Sequence, residues 1–258
     1  MIEATRIRAL LELRGLDVRV EVRPTTESTN DDAKEAARLG MAVPALFVAD
    51  EQTRGRGRSG NAWLSTPGES VLLSILLRPD LAPADSARLT LAVGVAISDI
   101  IEARAPGRVR VKWPNDVLLD DKKIAGILLE GQIRGEKLSS LVIGVGLNVH
   151  AAGLPAELAS IATSLTIAGV VRRDRSELTA EIAAAIISTV DRFGCEGLAG
   201  FIQVLRSRDA LLGERIEVGE VVGTADGIDE SGRLIVLTSS GHHVPVVSGH
   251  VIRRSGSL

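Results

Sequence analysis

The sequence predicts an α+β fold, in which a mixed, mainly antiparallel sheet packs with helices and a small β-barrel follows. Helical patterns and hairpin-like strand patterns occur together along most of the chain. The apolar content is 45% with few aromatic residues, so we expect an aliphatic core. After Leu212 short β-branched runs replace the helical patterns. We therefore predict one domain over residues 1–212 and a second over 213–258.

The first part of the chain alternates between helix and strand patterns. Val18, Val20 and Val22 alternate with charged residues, which is the period of a half-buried strand. Ser28 or Thr29 can cap the helix that follows. The predicted elements are, in order, a helix over 2–13, a strand over 18–22, a helix from Ser28 or Thr29 to about Arg38, and strands over 46–49 and 71–77.

Two long amphipathic helices are predicted in the middle of the chain. Leu89, Val93 and Ile97 recur at helical spacing on one face, and Leu178 and Ile182 begin a second such face. The predicted elements are helices over 84–103, 175–193 and 198–208, with strands over 109–112, 117–119, 124–130 and 138–145.

Short apolar runs separated by turn residues predict the small β-barrel. Asp226-Gly227 and Gly241 are typical of the turns between strands. The predicted strands lie over 216–218, 221–222, 234–237 and 244–247, and the domain boundary falls near Gly213.

Composition excludes several classes of protein. The net charge is −3, so any contact with phosphate must come from a local basic cluster. Cys195 is the single cysteine, which rules out an intrachain disulfide and suits a reducing cytosol. The apolar runs are too short to span a membrane, and residues 1–14 lack the apolar core of a signal peptide. We expect a soluble, cytoplasmic protein that does not bind membranes.

The loop Gly55-Arg56-Gly57-Arg58-Ser59-Gly60 is the most distinctive local motif. Glycines let backbone N–H groups face a ligand, and guanidinium groups pair with phosphate or carboxylate. The loop therefore predicts an anion site. The alternatives are a mobile surface loop or a nucleic-acid contact. No Lys-Ser or Lys-Thr pair follows, so it does not match a Walker A loop.

Two further motifs lie at the ends of predicted strands. In Lys112-Trp113-Pro114-Asn115-Asp116, the lysine can meet an anion and the carboxylate can hold Mg²⁺ or a hydroxyl. The alternative is an ordinary turn. In Gly144-Val-Gly-Leu-Asn148, two glycines let a ligand or another backbone approach the strand closely. The alternative there is a pair of packing glycines.

The order of these motifs along the chain is more specific than any one of them. With these motifs in their order, the sequence resembles the biotin protein ligase family over roughly residues 23–254. The resemblance implies a class II synthetase-like catalytic domain and an SH3-like C-terminal barrel. The matching motifs are Ser28-Thr29-Asn30, Gln52 with the 55–60 loop, Trp63, Lys112–Asp116, Lys123-Ile-Ala-Gly126-Ile-Leu, and Gly144–Asn148.

The resemblance also implies roles for individual residues. Arg56, Arg58 and Lys123 are the implied catalytic cations, and Arg58 and Lys123 are expected at the junction of the biotin carboxylate and the α-phosphate. Trp63 is expected to stack on adenine, and Asp116 to take part in binding Mg²⁺. The implied biotin-binding residues are Ser28, Thr29, Asn30, Gln52, Gly55, Arg56, Arg58, Lys123 and Gly126. The implied nucleotide-binding residues are Trp63, Lys112, Asn115, Asp116 and Asn148.

A member of this family adenylates biotin with ATP and Mg²⁺ and transfers it to a lysine of a biotin carboxyl carrier protein. Asn61 departs from the pattern, because many relatives have arginine there. Only about 22 residues precede the matching region, so we expect no N-terminal helix-turn-helix module.

Three alternative functions stay open at this point. A lipoate–protein ligase or octanoyl transferase shares the implied fold, although Ser28, Thr29 and Gln52 favour a ureido ligand over a plain acyl chain. A nucleic-acid binder is disfavoured by the net negative charge. A biotin sensor without transfer activity is disfavoured only weakly, by Lys123 and Asp116.

Overall fold

A seven-stranded mixed sheet forms the larger part of the protein. The computed structural model describes residues 2–135, 137–153, 157–171 and 174–254. The strand order is β1-β2-β3-β7-β6-β5-β4. The strands are β1 (Arg19–Thr26), β2 (Ala45–Gln52), β3 (Ser70–Leu77), β4 (Val109–Lys112), β5 (Asp116–Leu119), β6 (Lys122–Arg134) and β7 (Lys137–Asn148).

Strand pairing confirms the mixed, mainly antiparallel prediction. Only β1 and β2 pair in parallel among the described strands of this sheet, and a helix connects them. The other neighbouring pairs in the sheet are antiparallel, namely β2–β3, β3–β7, β7–β6, β6–β5 and β5–β4. β3 is an interior strand and all eight of its residues are buried, which explains why its sequence is almost entirely apolar.

Helices cover both faces of the sheet. α1, α3 and α4 pack together on one face over the main aliphatic core. α2 lies on the other face, against Phe47, Leu76 and Val142. The predicted helices are confirmed with small changes at their ends, as α1 (Ala4–Glu12), α2 (Thr29–Arg38), α3 (Ser86–Glu102), α4 (Arg175–Glu196) and α5 (Ile202–Ser207).

The C-terminal part is a five-stranded antiparallel sheet with the order β11-β10-β9-β8-β12. The described pairings do not include one between β11 and β12, so closure into a barrel stays a prediction. So does the division of the chain at residue 212. The strands are β8 (Arg215–Val218), β9 (Val221–Ile228), β10 (Leu234–Thr238), β11 (His243–Val246) and β12 (Val251–Arg253).

The predicted turn at Asp226-Gly227 is wrong, because both residues lie inside β9. Gly227 has a φ of +93°, and the register with β10 shifts at this point, so the pair forms a bulge instead of a turn. β12 was not predicted at all, because a three-residue strand carries almost no periodic signal.

Within the described parts of the chain, no helix is long and apolar enough to cross a membrane.

A partly buried ion pair anchors the start of α4 to the sheet. The guanidinium of Arg175 lies 2.7 Å from the carboxylate of Asp50 at the end of β2. It also donates to the carbonyl of Ser70 at 3.2 Å. The Arg175 side chain is only 9% exposed, so it depends on these partners.

We predict that Asp50→Asn lowers the free energy of unfolding by about 2 kcal/mol, because the buried cation loses its counter-charge. Urea unfolding followed by circular dichroism measures this. Asp80→Asn is the matched control, since Asp80 pairs with Lys137 on the exposed surface. Equal unfolding midpoints for the two variants would contradict the anchoring role.

Candidate active site

A cleft on the α2 face of the sheet gathers the predicted site residues. All of them line it except Gly55 and Asn148. Residues from β6, β7 and the turn between β4 and β5 meet there with the first turn of α2. The cleft is also lined by Gly249, His250 and Val251, where β12 begins, which the sequence did not indicate.

Glycines form the floor of the cleft. Gly126, Gly144 and Gly146 occupy one face of β6 and β7, since Gly126 pairs with Gly146 and residues 144 and 146 are two apart. A Cβ at Gly144 would collide with the amide of Asn30, and one at Gly146 would collide with the indole of Trp63. The glycine motif therefore lets two site side chains lie directly on the sheet.

A buried polar network closes one end of the cleft. The Oε1 atom of Gln52 accepts from the Thr29 backbone at 2.8 Å and lies 3.0 Å from the Thr29 hydroxyl. Ser74 on β3 adds contacts of 2.7 Å to that hydroxyl and 2.5 Å to Asn30 Oδ1. Sequence reasoning missed Ser74, because a serine within an apolar run gives no distinct signal. The network fixes the side chains of Thr29, Asn30 and Gln52.

Ser28 stands at the N-cap position of α2 but does not cap the helix through its side chain. The predicted N-cap position is confirmed at Ser28, although its side chain makes no capping hydrogen bond. Its backbone carbonyl accepts from Asp31 and Asp32 instead. Ser28 is buried and lines the cleft, and no described residue hydrogen-bonds its hydroxyl. Its hydroxyl is therefore available to a ligand.

The glycine–arginine loop is a short hairpin-like excursion. The backbone N–H of Trp63 donates to the Gly55 carbonyl at 3.0 Å, and the backbone N–H of Gly57 donates to the Asn61 carbonyl at 2.7 Å. A Cβ at Gly55 would lie only 2.5 Å from the Trp63 carbonyl oxygen, so glycine is needed at the base of the loop. Gly55 thus shapes the loop and does not line the cleft.

The two arginines of this loop have different surroundings. Arg56 lies 2.8 Å from both Asp31 and Glu130, outside the cationic end of the cleft. Lys34 joins the same two carboxylates at 2.7 and 3.1 Å. Arg58 is half-buried, and no described residue pairs with its guanidinium. The sequence did not reveal Asp31 and Glu130, because their neighbours come from distant segments.

Cations surround one carboxylate at the other end of the cleft. Lys123 Nζ lies 2.7 Å from Asp116 Oδ1 and 5.5 Å from the centre of the Trp63 ring. Burial lowers the pKa of Arg58, and nearby Asp116 partly opposes that shift. Burial also lowers the pKa of Lys112, where Arg253 and Lys123 add to the effect and Asp116 opposes it. This end of the cleft favours an anionic ligand.

Two predicted asparagines serve the protein framework in this structure. Asn115 donates to the Ile127 carbonyl at 2.9 Å, which ties the 112–116 turn to β6. The Asn148 amide donates to the Thr163 carbonyl at 3.0 Å and is buried. The structure therefore places Asn148 beneath the loop after β7 and not in the cleft.

A magnesium ion would find one carboxylate in the cleft, that of Asp116. The described residues contain no cluster of three or more His, Cys, Asp or Glu side chains suited to a metal. Mg²⁺ often uses one or two carboxylates, with water and substrate phosphates as its other ligands. The side chains present therefore fit a magnesium ion that arrives with a nucleotide.

Family models of protein ligases match both parts of the chain. A family model described as the biotin/lipoate A/B protein ligase family matches residues 22–148. A second, described as the biotin protein ligase C-terminal domain, matches residues 212–254. The cleft is formed by residues from both regions.

Individual relatives agree with the family models. The chain is 37% identical to the biotin–acetyl-CoA-carboxylase ligase of Mycobacterium tuberculosis, over 93% of this chain and 89% of that protein. It is 34% identical to the bifunctional ligase/repressor BirA of Bacillus spizizenii, over 83% and 68%. A biotin protein ligase of Aquifex aeolicus, solved with biotin and ATP, superposes with a TM-score of 0.77 at 28% identity, over 92% and 99%. The chain belongs to the biotin protein ligase family.

We predict that Gly146→Ala displaces the Trp63 indole, because the new methyl group would occupy its place. Overpacking of this kind costs about 1–3 kcal/mol of stability. The protein has two tryptophans and Trp113 is buried, so a red shift of tryptophan emission would report the displacement of Trp63.

Gly194→Ala is the matched control for Gly146→Ala. Nothing lies within 4 Å of a Cβ at Gly194 on α4, so alanine there should leave the emission unchanged. It should also raise stability by about 0.5–1 kcal/mol, because alanine favours helix. An unshifted spectrum and normal stability for Gly146→Ala would show that Trp63 does not rest on Gly146.

Proposed function

We propose that the cleft binds biotin and ATP, joins them as biotinyl-5′-AMP, and then passes biotin to a lysine of a biotin carboxyl carrier protein. The observation that supports this most is the division of one cleft into an uncharged polar end and a cationic end, in a chain of the biotin protein ligase family. Such a cleft suits a ligand with a polar ring at one end and a carboxylate at the other.

The polar end suits the ureido ring of biotin. That ring has two N–H donors and one carbonyl acceptor, so it needs partners of both kinds. The Ser28 hydroxyl and the Gln52 amide nitrogen have no described hydrogen-bond partner, and both residues line the cleft. We assign the ring to Ser28, Thr29 and Gln52, with Asn30 holding the network in place. A lipoyl or octanoyl chain has no polar ring, so desolvating this end would be uncompensated.

The cationic end suits the first reaction. A carboxylate oxygen of biotin attacks the α-phosphorus of ATP, the bond to the β-phosphate oxygen breaks, and pyrophosphate leaves. Both reactants are anions and repel each other unless cations hold them. We assign this task to Arg58, Lys112 and Lys123, because preorganised charge lowers the barrier where charge is shared in the transition state.

Asp116 would help to hold a magnesium ion that arrives with ATP. When bound it supplies positive charge to the phosphate oxygens. Asp116 holds Lys123 at 2.7 Å, so it also orients that ammonium toward the cleft. Trp63 is assigned to the nucleotide, next to Lys123 and above Gly146.

The second reaction needs no nucleophile from the enzyme. The amine of the carrier lysine attacks the biotinyl carbonyl, an amide bond forms, and AMP leaves. The described cleft accordingly needs to position and shield the anhydride, not to attack it. We assign shielding to the 55–60 loop, in which Arg58 and Arg56 both line the cleft and Arg56 is paired with Asp31 and Glu130.

The remaining assignments concern partners and location. We propose that the protein acts in the cytoplasm, which suits its single free cysteine, Cys195. We propose no nucleic-acid partner, because the arginines of the 55–60 loop face carboxylates or the cleft instead of a broad basic surface.

The decisive experiment is exchange of labelled pyrophosphate into ATP with biotin or lipoate as the acid. We expect exchange with biotin and not with lipoate. Mass spectrometry should detect biotinyl-5′-AMP. Lys123→Ala should slow exchange about 100-fold while keeping its fold, the scale for one preorganised charge. Exchange supported equally by lipoate would contradict the assignment of the polar end.

The lowered pKa of Lys112 predicts a pH dependence. An ammonium is charged only below its pKa, so Lys112 should lose its charge at lower pH than an ordinary lysine. The kcat/KM for ATP, which reports the free enzyme, should therefore fall on the alkaline side. Lys112→Arg should move this fall to higher pH, because guanidinium stays protonated.

Lys122→Arg is the matched control for Lys112→Arg. Lys122 is outside the cleft and donates to the Ala159 carbonyl. That variant should keep the alkaline fall of the wild-type enzyme. If Lys112→Arg also keeps it, Lys112 is not the group that titrates.

A further inference from the structure

Trp113 joins the Lys112–Asp116 turn to the C-terminal sheet. Its side chain is 2% exposed, and its indole N–H donates to the carbonyl of Gly232 at 3.0 Å. The two residues are separated by 119 positions in the chain. On either side of Trp113, Lys112 and Asp116 pair across β4 and β5 and both line the cleft.

The acceptor of this hydrogen bond is held rigidly. Gly232 lies in the turn between β9 and β10 with a φ of +77°. The Asp229 carboxylate accepts from the backbone of Ser231 and Arg233 at 2.9 Å each, which closes the turn. A Cβ at Gly232 would lie 3.1 Å from Leu91 and 3.2 Å from Leu198, so the turn is wedged against the helices.

A second link holds the same strand end from the other side. Val111 N–H donates to the Arg208 carbonyl at 2.7 Å, and Ala210 N–H donates to the Val111 carbonyl at 3.0 Å. Arg253 of β12 donates to the Ala210 carbonyl and lies near enough to contribute to the lowered pKa of Lys112. Lys112 is thus placed between two contacts that lead to the C-terminal sheet.

We propose that Trp113 is a positioning residue for the nucleotide, which acts through Lys112 and Asp116. The hydrogen bond to Gly232 sets the place of the turn relative to the C-terminal sheet, and residues 249–251, where β12 begins, line the same cleft. Among the described residues, no hydrogen bond links the network of Thr29, Asn30 and Gln52 to the C-terminal sheet, so we expect the effect to be confined to the nucleotide side. This inference rests on the proposed function for the identity of the nucleotide as ATP.

Trp113→Phe keeps an aromatic ring in the buried site and removes the N–H donor. We expect the KM for ATP in biotin-dependent exchange to rise about tenfold, the scale of one hydrogen bond to a buried acceptor. The KM for biotin should change less than about twofold. Calorimetry should show the same loss of ATP affinity without any turnover, so this readout does not depend on the biotin reaction.

Arg206→Met is the matched control. Arg206 also joins α5 to the C-terminal sheet through a side chain, because its Nε donates to the Ile228 carbonyl at 3.0 Å, but it does not touch the 112–116 turn. We expect an unchanged affinity for ATP. Should Trp113→Phe fail to fold, benzothienylalanine at position 113 replaces the indole N–H by sulfur and tests the same bond.

The outcomes separate the possible failures. Unchanged ATP affinity in the Trp113 variant would overturn the inference, and so would equal losses of ATP and biotin affinity that follow the melting temperature. An equal loss of ATP affinity in Arg206→Met would also overturn it. The loss would then follow from weakening any contact to the C-terminal sheet, and not from the Trp113 hydrogen bond in particular. Absence of biotin-dependent exchange in the wild type would contradict the proposed function, while calorimetry with ATP would still decide the role of Trp113.

Discussion

The absence of side chains at three positions of the central sheet is the constraint on which the cleft depends. Gly126, Gly144 and Gly146 leave a shallow floor on β6 and β7, and the amide of Asn30 and the indole of Trp63 occupy that space. Any Cβ on this floor would lift one of those side chains into the volume that a ligand needs. The position of α2, the path of the 55–60 loop and the depth of the cleft all follow from this close approach.

The charged side chains around that floor are unevenly paired. Arg56 lines the cleft, but its charge is balanced by Asp31 and Glu130. Among the described residues that line the cleft, Arg58, Lys112 and Lys123 have one carboxylate near them, that of Asp116. The cleft therefore carries a local excess of positive charge in a protein whose net charge is −3. Partial burial of these cations reduces their screening by solvent, which strengthens their attraction for anions.

The periodicity of apolar residues predicted most helices and strands. In a long amphipathic helix or a buried apolar strand, the pattern lies within the segment itself and does not depend on distant residues. It failed where a tertiary contact decided the conformation, as at the bulge of Asp226-Gly227 inside β9. The order of the motifs along the chain predicted nearly all the site residues that line the cleft. It could not reveal Ser74, Glu130 or the contact from Trp113 to Gly232, because each depends on a partner far away in the chain. Nor could it show that Asn148 turns toward Thr163 and away from the cleft.

The cleft takes its lining from residues as far apart as Ser28 and Val251, and this span has a consequence for how the protein is made. During synthesis the strands of the central sheet can pair once β7 has emerged, because all of these strands lie within residues 19–148. The wall contributed by β12 is still missing at that stage, and β8 and β12 can pair only after more than a hundred further residues have been added. A nascent chain would therefore hold an open half-cleft on the ribosome. A reactive anhydride could be sheltered only after β12 had been translated.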